Sequence, residues 1–525
     1  MDCKMKMKWR FWAWVGVLAV AFAVRWVAAR EAYPVPGDGG HFVQYGEALA
    51  HGHAKLSTYW SQGMVLAAAG AERVGLDPKR TLQGISFVAG MLVVLLFGGI
   101  TGRVAKSGGW GLAGGLWAAT NLTMVKYSIE GYSEMAYMAF LMGAVYVAVG
   151  GKPGWKRDLA AGVLLGLGGW FKGLDAAVAA CAYALWRWAW GGRRRWDWRL
   201  AAVAPAVAFA VLLPLCAYTY SETGQFAPGS KGGSNFLLGL DWKDSKVVYA
   251  AEPVETRTYA EAFRALPRQV VGNVHDMFRL ANEQLFTRGV RLGTIWFTLL
   301  VAALAVSLGK GRGGADGCSR WMLPVSLIGC QLALMSLAFV HDRLFAPTLP
   351  WVVLAGLLGV ERWLGRRGGR GSWAVLGAFA VYCAVFATYS LHASRTESAW
   401  WRYGRIKRVG ECLLGLGMDE RDVVMHYGPQ LSIETHRGNP LLTVEVPFGS
   451  IEEVGKVAEE KGVRFAAISD TWRGHWPIAA VAAGGAAAPA GWCLRKTLVF
   501  EEEEETGAPG ERISIYEVRT EAAGR

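Results

Sequence analysis

Between Trp9 and Leu391 the chain returns repeatedly to uninterrupted apolar runs, and no other feature restricts its fold as severely. A helix crosses a roughly 30 Å hydrocarbon layer with about 20 predominantly apolar residues. Within that layer every backbone N–H and C=O must be satisfied by the protein itself, so a chain made of such runs folds as a helix bundle. The runs cover about 9–29, 84–102, 110–126, 134–150, 158–174, 175–190, 199–220, 291–309, 321–340, 344–362 and 373–391, and they predict about eleven transmembrane helices. Composition agrees: 53% of residues are hydrophobic and 18% charged, against about 25% charged in an ordinary soluble domain. Trp9, Trp110, Trp198, Trp296 and Trp321 stand near the ends of runs, where an amphipathic ring is stable at headgroup level.

The net charge of +13 raises nucleic acid as a partner, but the basic residues fall in short clusters between apolar runs. That is the pattern of membrane orientation, and no nucleic-acid partner is expected. The opening "MDCKMKMKWRFWAWVGVLAVAFAV" has the basic flank and apolar core of a signal peptide. An arginine and a bulky tryptophan follow that core and further spans come later, so an uncleaved first span is the preferred reading. Cys181, Cys216, Cys330 and Cys383 lie in apolar runs and Cys318 in a loop, without CxxC spacing, and read as small core residues.

The stretch "YWSQGMVLAAAGAERVGL" from Tyr59 decides the topology, because it is short for a span and carries Glu72 and Arg73. If it crosses, the clusters Arg103/Lys106, Lys152/Lys156/Arg157 and Arg193 to Arg195 all fall opposite the basic N-terminus. If it lies in the interface as an amphipathic helix, they join Lys4, Lys6, Lys8 and Arg10 on the inside, with Lys310, Arg312, Arg320, Arg362, Arg366, Arg367 and Arg370. The second arrangement is the expected one. It predicts a multi-pass plasma (inner) membrane protein with a cytoplasmic N-terminus. Residues 1–394 then form the transmembrane domain with outer loops 30–83 and 221–290, and residues 395–525 form a small extracytoplasmic α/β domain. In that domain "DVVMHYG", "PLLTVEV", "VRFAAISD" and "RISIYEV" read as strands and "SIEEVGKVAEEKGV" as a helix. Glu501 to Glu505 read as a solvated turn, and Cys412 and Cys493, sharing an oxidising compartment, could pair.

The candidate chemistry falls on the outer face. Asp38 stands between Gly37 and Gly39 ahead of "HFVQYGEALAHG", a helix that would place His41, Tyr45 and Ala48 on one face. On local sequence alone, a helix cap is the simpler use of Asp38. The turn "YSIEGYSE" adds Glu130 and Glu134, and carboxylates from two loops facing one cavity can bind a divalent cation or activate a hydroxyl. Lys172, His341 and Arg343 are cations on the same face, a combination suited to phosphate. The plainer readings are snorkelling for Lys172, headgroup anchoring for Arg343 and helix termination for His341 with Asp342. An acid and a phosphate clamp at one membrane surface point to transfer from a lipid phosphate.

A basic N-terminus, an outer Asp opening a juxtamembrane helix, a second such helix, an acid in the second outer loop and a late "HDRLFAPTLP" resemble the GT-C fold of polyprenyl-phosphate-sugar glycosyltransferases. The likeness is to the branch of protein O-mannosyltransferases and the bacterial lipid A aminoarabinose transferase, over about three quarters of the chain. The resemblance implies that Asp38 is catalytic or metal-linked and that Glu134 matches the second-loop acid. It implies that Arg80 is the arginine opening the second span, and that Lys172 in "WFKGLDAAV" and Arg343 lie near the donor phosphate. Gly39 stands where the family usually has a second acid, and "STYWSQG" replaces an expected Pro-Pro-Leu.

The expected function is a membrane glycosyltransferase moving a sugar from a polyprenyl-phosphate carrier to an extracytoplasmic glycan, lipid or protein hydroxyl, with inversion. Asp38 and Glu134 are the expected catalytic residues, and the metal ligands if a divalent cation takes part. Lys172, Arg343, His341 and Arg80 are expected to bind the donor phosphate, with Glu130, His41 and Tyr45 as accessory residues. The rival readings are a polytopic transporter and a lipid-linked glycan ligase or polymerase. Transporter sites lie near the midplane on broken helices, whereas the charges here keep to the ends of the runs.

Overall fold

The computed structural model describes residues 3–31, 34–150, 154–189, 198–230, 322–331, 346–364, 374–385, 387–388, 400–419, 421–426, 430–435, 442–447, 449–470, 477–501 and 510–519. These fall into two compact units. One gathers residues up to 30, 84–230 and 322–388; the other gathers 31–83 and 400–519. The first outer loop, expected with the transmembrane domain, thus groups with the C-terminal residues.

The first unit is helical: α1 (Cys3–Glu31), α4 (Pro78–Val104) from Gly84 onward, α5 (Gly108–Thr120), α6 (Leu122–Ile129), α7 (Ser133–Gly150), α8 (Trp155–Gly169), α9 (Gly173–Ala189) and α10 (Trp198–Thr223). The later apolar helices α11 (Met322–Gln331), α12 (Leu349–Leu364) and α13 (Ala374–Val385) complete its described part. Among the described residues, four helices are long and apolar enough to cross a membrane: Trp9–Arg30 within α1, α4, α7 and α10. The expected span 291–309 and most of the loop 221–290 lie outside the described residues. The chain is a membrane protein.

The run read as one span over 110–126 is two helices. Asn121 breaks it, and the Asn121 side chain accepts a hydrogen bond from the Met124 amide at 3.2 Å to start α6. The carbonyls freed at the end of α5 are taken by Arg25. Its Nη2 donates to the Ala118 carbonyl and its Nη1 to the Ala119 carbonyl, each at 2.9 Å. Arg25 is fully buried, and its fork of donors meets the need of a broken helix. Gly90 makes room for it, since a Cβ there would overlap the Ser128 side chain and lie 3.2 Å from Arg25 Nε.

Elsewhere the unit packs through small residues. A Cβ on Gly162 would meet the Ala204 carbonyl oxygen at 2.6 Å, and one on Gly166 would meet Val211 Cβ at 2.6 Å, so α8 and α10 touch backbone to backbone. A buried carboxylate ties α8 to α9: Asp158 receives Arg157, the Tyr183 hydroxyl at 2.7 Å and Arg187 Nε at 3.0 Å.

The second unit contains α2 (Asp38–Ala50), α3 (Gln62–Arg73) and the start of α4, where Asp77 Oδ1 accepts from the Lys79 amide at 2.8 Å just ahead of Pro78. At 12 residues, α3 is about 18 Å long and cannot span. It lies along α2, its Ala68 occupying the space that a side chain on Gly46 would fill.

The C-terminal part is a five-stranded sheet of order β2-β1-β3-β5-β4, with β1 (Val423–His426), β2 (Thr443–Glu445), β3 (Val463–Ser469), β4 (Trp492–Phe500) and β5 (Glu511–Val518). The first three strands pair in parallel and the last two antiparallel to their neighbours. One face is covered by α14 (Trp400–Gly415) and α15 (Gln430–Thr435), the other by α16 (Ile451–Glu460) and α17 (Ala479–Ala482). Four strands and α16 fall where the patterning predicts; β4 was not foreseen. A reciprocal Ser450/Glu453 capping box starts α16. Cys412 and Cys493 are free thiols, so the contemplated disulfide is absent. Of the acidic run only Glu501 falls within the described residues, and it is exposed.

Candidate functional site

Two groups of predicted residues take defined positions, one in each unit. In the second unit, Asp38 is the first residue of α2 rather than its cap. The cap position belongs to Gly37, whose φ of 50° and ψ of −126° suit glycine. One helical turn on, His41 and Tyr45 follow at i+3 and i+7, so all three share a half-buried face of α2. The opposite side buries Val43 and Glu47, and Phe42 is buried between the two sides.

That face meets an aromatic shelf and a carboxylate that sequence reasoning missed. The His41 ring stacks on Trp60 with centroids 4.2 Å apart and planes 9° apart, and Tyr59 lies edge-on to the same indole at 4.9 Å. His41 Nε2 stands 3.4 Å from Glu445 Oε1. Glu445 is the last residue of the edge strand β2, some four hundred positions away in sequence. Desolvation and then the Asp38 charge push the Glu445 carboxyl above its ordinary range. Its side chain remains 48% exposed, so solvent screens both effects. Tyr59, desolvated and then opposed by Asp38, is pushed up to about 12. Tyr45 is raised by burial and then by Glu445.

Beneath this face Glu47 is a buried acid. Desolvation and then the Glu72 charge push it up to about 8, against the attraction of Lys79. Around it His51 Nε2 meets Glu72 Oε1 at 3.1 Å and Lys79 Nζ meets Glu434 Oε1 at 2.9 Å. Arg80 is exposed and donates to Gln83 Oε1 at 2.8 Å, one turn along α4.

In the first unit, Glu134 sits in the first turn of α7, where an acid is favoured by the helix dipole. Lys172 lies in the short junction between α8 and α9. Lys172 Nζ is 3.2 Å from Glu134 Oε1, with the side chains 10% and 1% exposed. The two residues expected at a phosphate clamp and a base are therefore an ion pair with each other. Glu130 ends α6 and is buried. Asp175, a turn further on, accepts from Gln331 at 2.8 Å. His341 and Arg343 lie outside the described residues.

No family model matches the sequence, and no curated protein matches it. Solved structures do match over nearly the whole chain. ArnT from Cupriavidus metallidurans bound to undecaprenyl phosphate aligns at a TM-score of 0.55 and 12% identity, covering 97% of this chain and 99% of that one. The apo oligosaccharyltransferase of Archaeoglobus fulgidus aligns at 0.55 and 12%, covering 90% and 71%. The arabinofuranosyltransferase AftD from Mycobacteria (a mutant form) aligns at 0.51 and 14%, covering 98% of this chain and 42% of that one. The chain has the GT-C fold, and its structural neighbours are glycosyltransferases. Another structure of the archaeal enzyme is a complex with Zn and sulfate. In this chain no three His, Cys, Asp or Glu side chains converge among the described residues to hold a metal ion.

Proposed function

We propose that this protein is a polytopic glycosyltransferase that moves a sugar from a polyprenyl-phosphate carrier to a hydroxyl acceptor on the extracytoplasmic side, with its N-terminus in the cytoplasm. The observation that carries this reading is the polar face of α2. Asp38, His41 and Tyr45 stand against an aromatic shelf in a chain with the fold of transferases, one of which binds undecaprenyl phosphate. Fold alone does not specify chemistry; the carboxylate-bearing face supplies the chemical argument.

In the proposed reaction Asp38 accepts the proton of the acceptor hydroxyl. The hydroxyl oxygen bonds to the anomeric carbon as the bond from that carbon to the phosphate oxygen breaks. The electron pair leaves with the lipid phosphate, and direct displacement inverts the anomeric centre. A base in hydrogen-bond reach of the hydroxyl contributes about 10²–10⁴ in rate.

Lys172 is assigned to the leaving phosphate. An ammonium has three donors, so the contact with Glu134 orients Lys172 and leaves protons for phosphate oxygens. Charge stabilisation of this kind is expected to dominate the transfer step. Arg343, with His341, is assigned to the same phosphate, and residues 395–525 to acceptor selection.

The test is donor choice. Protein purified into nanodiscs is offered radiolabelled undecaprenyl-phosphate-linked hexose, pentose and aminopentose, and in parallel an undecaprenyl-diphosphate-linked glycan. Transfer from a monophosphate donor supports the reading. Turnover of the diphosphate glycan alone replaces it with a ligase, and turnover of neither removes it.

A further inference from the structure

The carboxylate facing α2 comes from the C-terminal sheet, and its surroundings give it a task. Glu445 closes the edge strand β2, touches His41 Nε2 at 3.4 Å and keeps 48% of its side chain exposed. A residue that only tied the sheet to α2 would gain from being shielded; this one keeps a free surface beside Asp38. His41 is held on its other side by the Trp60 stack, so its ring has little freedom to leave Glu445. The groups of this half-buried face are then two carboxylates, an imidazole edge, Tyr45 and the aromatic rings of Tyr59 and Trp60, with Glu445 the exposed member. Carboxylates accept hydrogen bonds from hydroxyls, and aromatic rings cover the C–H faces of a sugar or aryl group. An anion brought to the same place meets like charge and loses its hydration without a partner, which is how a site rejects a competitor.

We propose that Glu445 is an acceptor-specificity residue, which together with Asp38 restricts the acceptor to neutral hydroxyl-bearing groups and excludes anionic ones. The inference rests on the reading of Asp38 as the base that meets the acceptor. It adds a residue of the C-terminal domain and a charge class for the acceptor. The energetic content is a difference between two acceptors that share a ring and differ in one charge.

The experiment uses the whole protein in nanodiscs, the donor identified among the undecaprenyl-phosphate sugars, and two acceptor probes, p-nitrophenyl β-glucoside and p-nitrophenyl β-glucuronide. The wild type is expected to use the glucoside and to discriminate against the glucuronide through KM. Glu445→Gln keeps the shape and removes the charge, and it should lower that discrimination about tenfold, read as the ratio of kcat/KM for the two glycosides. Glu445→Asp keeps the charge and should retain the discrimination. The slow transfer of sugar to water reads folding and donor use independently of the two glycosides.

Unchanged discrimination in Glu445→Gln overturns the proposal, as does an equal loss of transfer to water and to both acceptors, which marks a structural role. Wild-type use of both glycosides alike, or of neither, also overturns it. If Asp38→Asn keeps full transfer, the catalytic reading fails whatever Glu445 does.

Discussion

Lys172 Nζ stands 3.2 Å from Glu134 Oε1, in a pair whose acid is 1% exposed and whose base is 10% exposed. Removing either partner leaves a buried charge without its ion-pair partner, at about 3–5 kcal/mol. Lys172→Met and Glu134→Gln should each lower the thermal midpoint in detergent. The double variant should regain most of that stability, because a buried pair replaced by neutral groups is often tolerated. Transfer should not return with it, since the phosphate has lost one of its cations. Recovery of both stability and transfer in the double variant would show that the pair is structural only.

Glu47 predicts an opposite kind of electrostatic effect. Its carboxyl is pushed up to about 8 in the folded protein, whereas an unfolded glutamate titrates near 4.3. Between these values the folded state holds a proton that the unfolded state has released, so stability falls as pH rises from about 4.5 to about 8. Below that window the difference vanishes, and above it the full penalty of a buried charge applies. Glu47→Gln keeps a neutral side chain throughout. It should raise the thermal midpoint relative to wild type at pH 8.5 and leave it nearly equal at pH 4.5, measured by differential scanning fluorimetry in the same detergent. A pH-independent difference would contradict the assignment.

Arg25 predicts a stability loss without chemistry. Arg25→Leu strands the Ala118 and Ala119 carbonyls, at about 1–3 kcal/mol for each buried group left unsatisfied. Arg25→Lys should not restore the wild-type midpoint, because a single ammonium cannot reproduce two forked 2.9 Å bonds. Gly90→Ala, which crowds Arg25 and Ser128, should lower the midpoint as well. Thermal melts of the three variants check this, and a lysine variant as stable as wild type would sink it.

Hydropathy could show α7 and α10 as apolar stretches because each keeps its charges at the ends, and Trp9–Arg30 because Arg25 alone interrupts its apolar interior. It could not show the break at Asn121, since one polar residue hardly changes the mean of a long window. The signal was local: Asn is a strong helix starter, and its side chain does bond the Met124 amide. The strands β1, β2, β3 and β5 are rich in β-branched and apolar residues bounded by turns. The strand β4 has five of its nine residues exposed and carries Arg495 and Lys496, so its pattern reads as surface.

Within the candidate site, the spacing of Asp38, His41 and Tyr45 along one helix was open to inspection, because i+3 and i+7 are fixed by helix geometry. Glu445 was not, because only the register of β2 on β1 and the packing of α2 beside it bring the two together. The pairing of Lys172 with Glu134 was hidden for the same reason. Each stands as a charge near a helix end, but nothing in linear sequence joins α7 to the α8–α9 junction.

The central claim is that Asp38 takes the proton of the acceptor hydroxyl as sugar leaves a lipid phosphate. It is tested most directly by single-turnover transfer from radiolabelled undecaprenyl-phosphate sugar, comparing wild type with Asp38→Asn at matched protein level and thermal midpoint. The account predicts that the asparagine variant loses about 10²–10⁴ in rate while still binding the donor. Transfer by Asp38→Asn at the wild-type rate would contradict it.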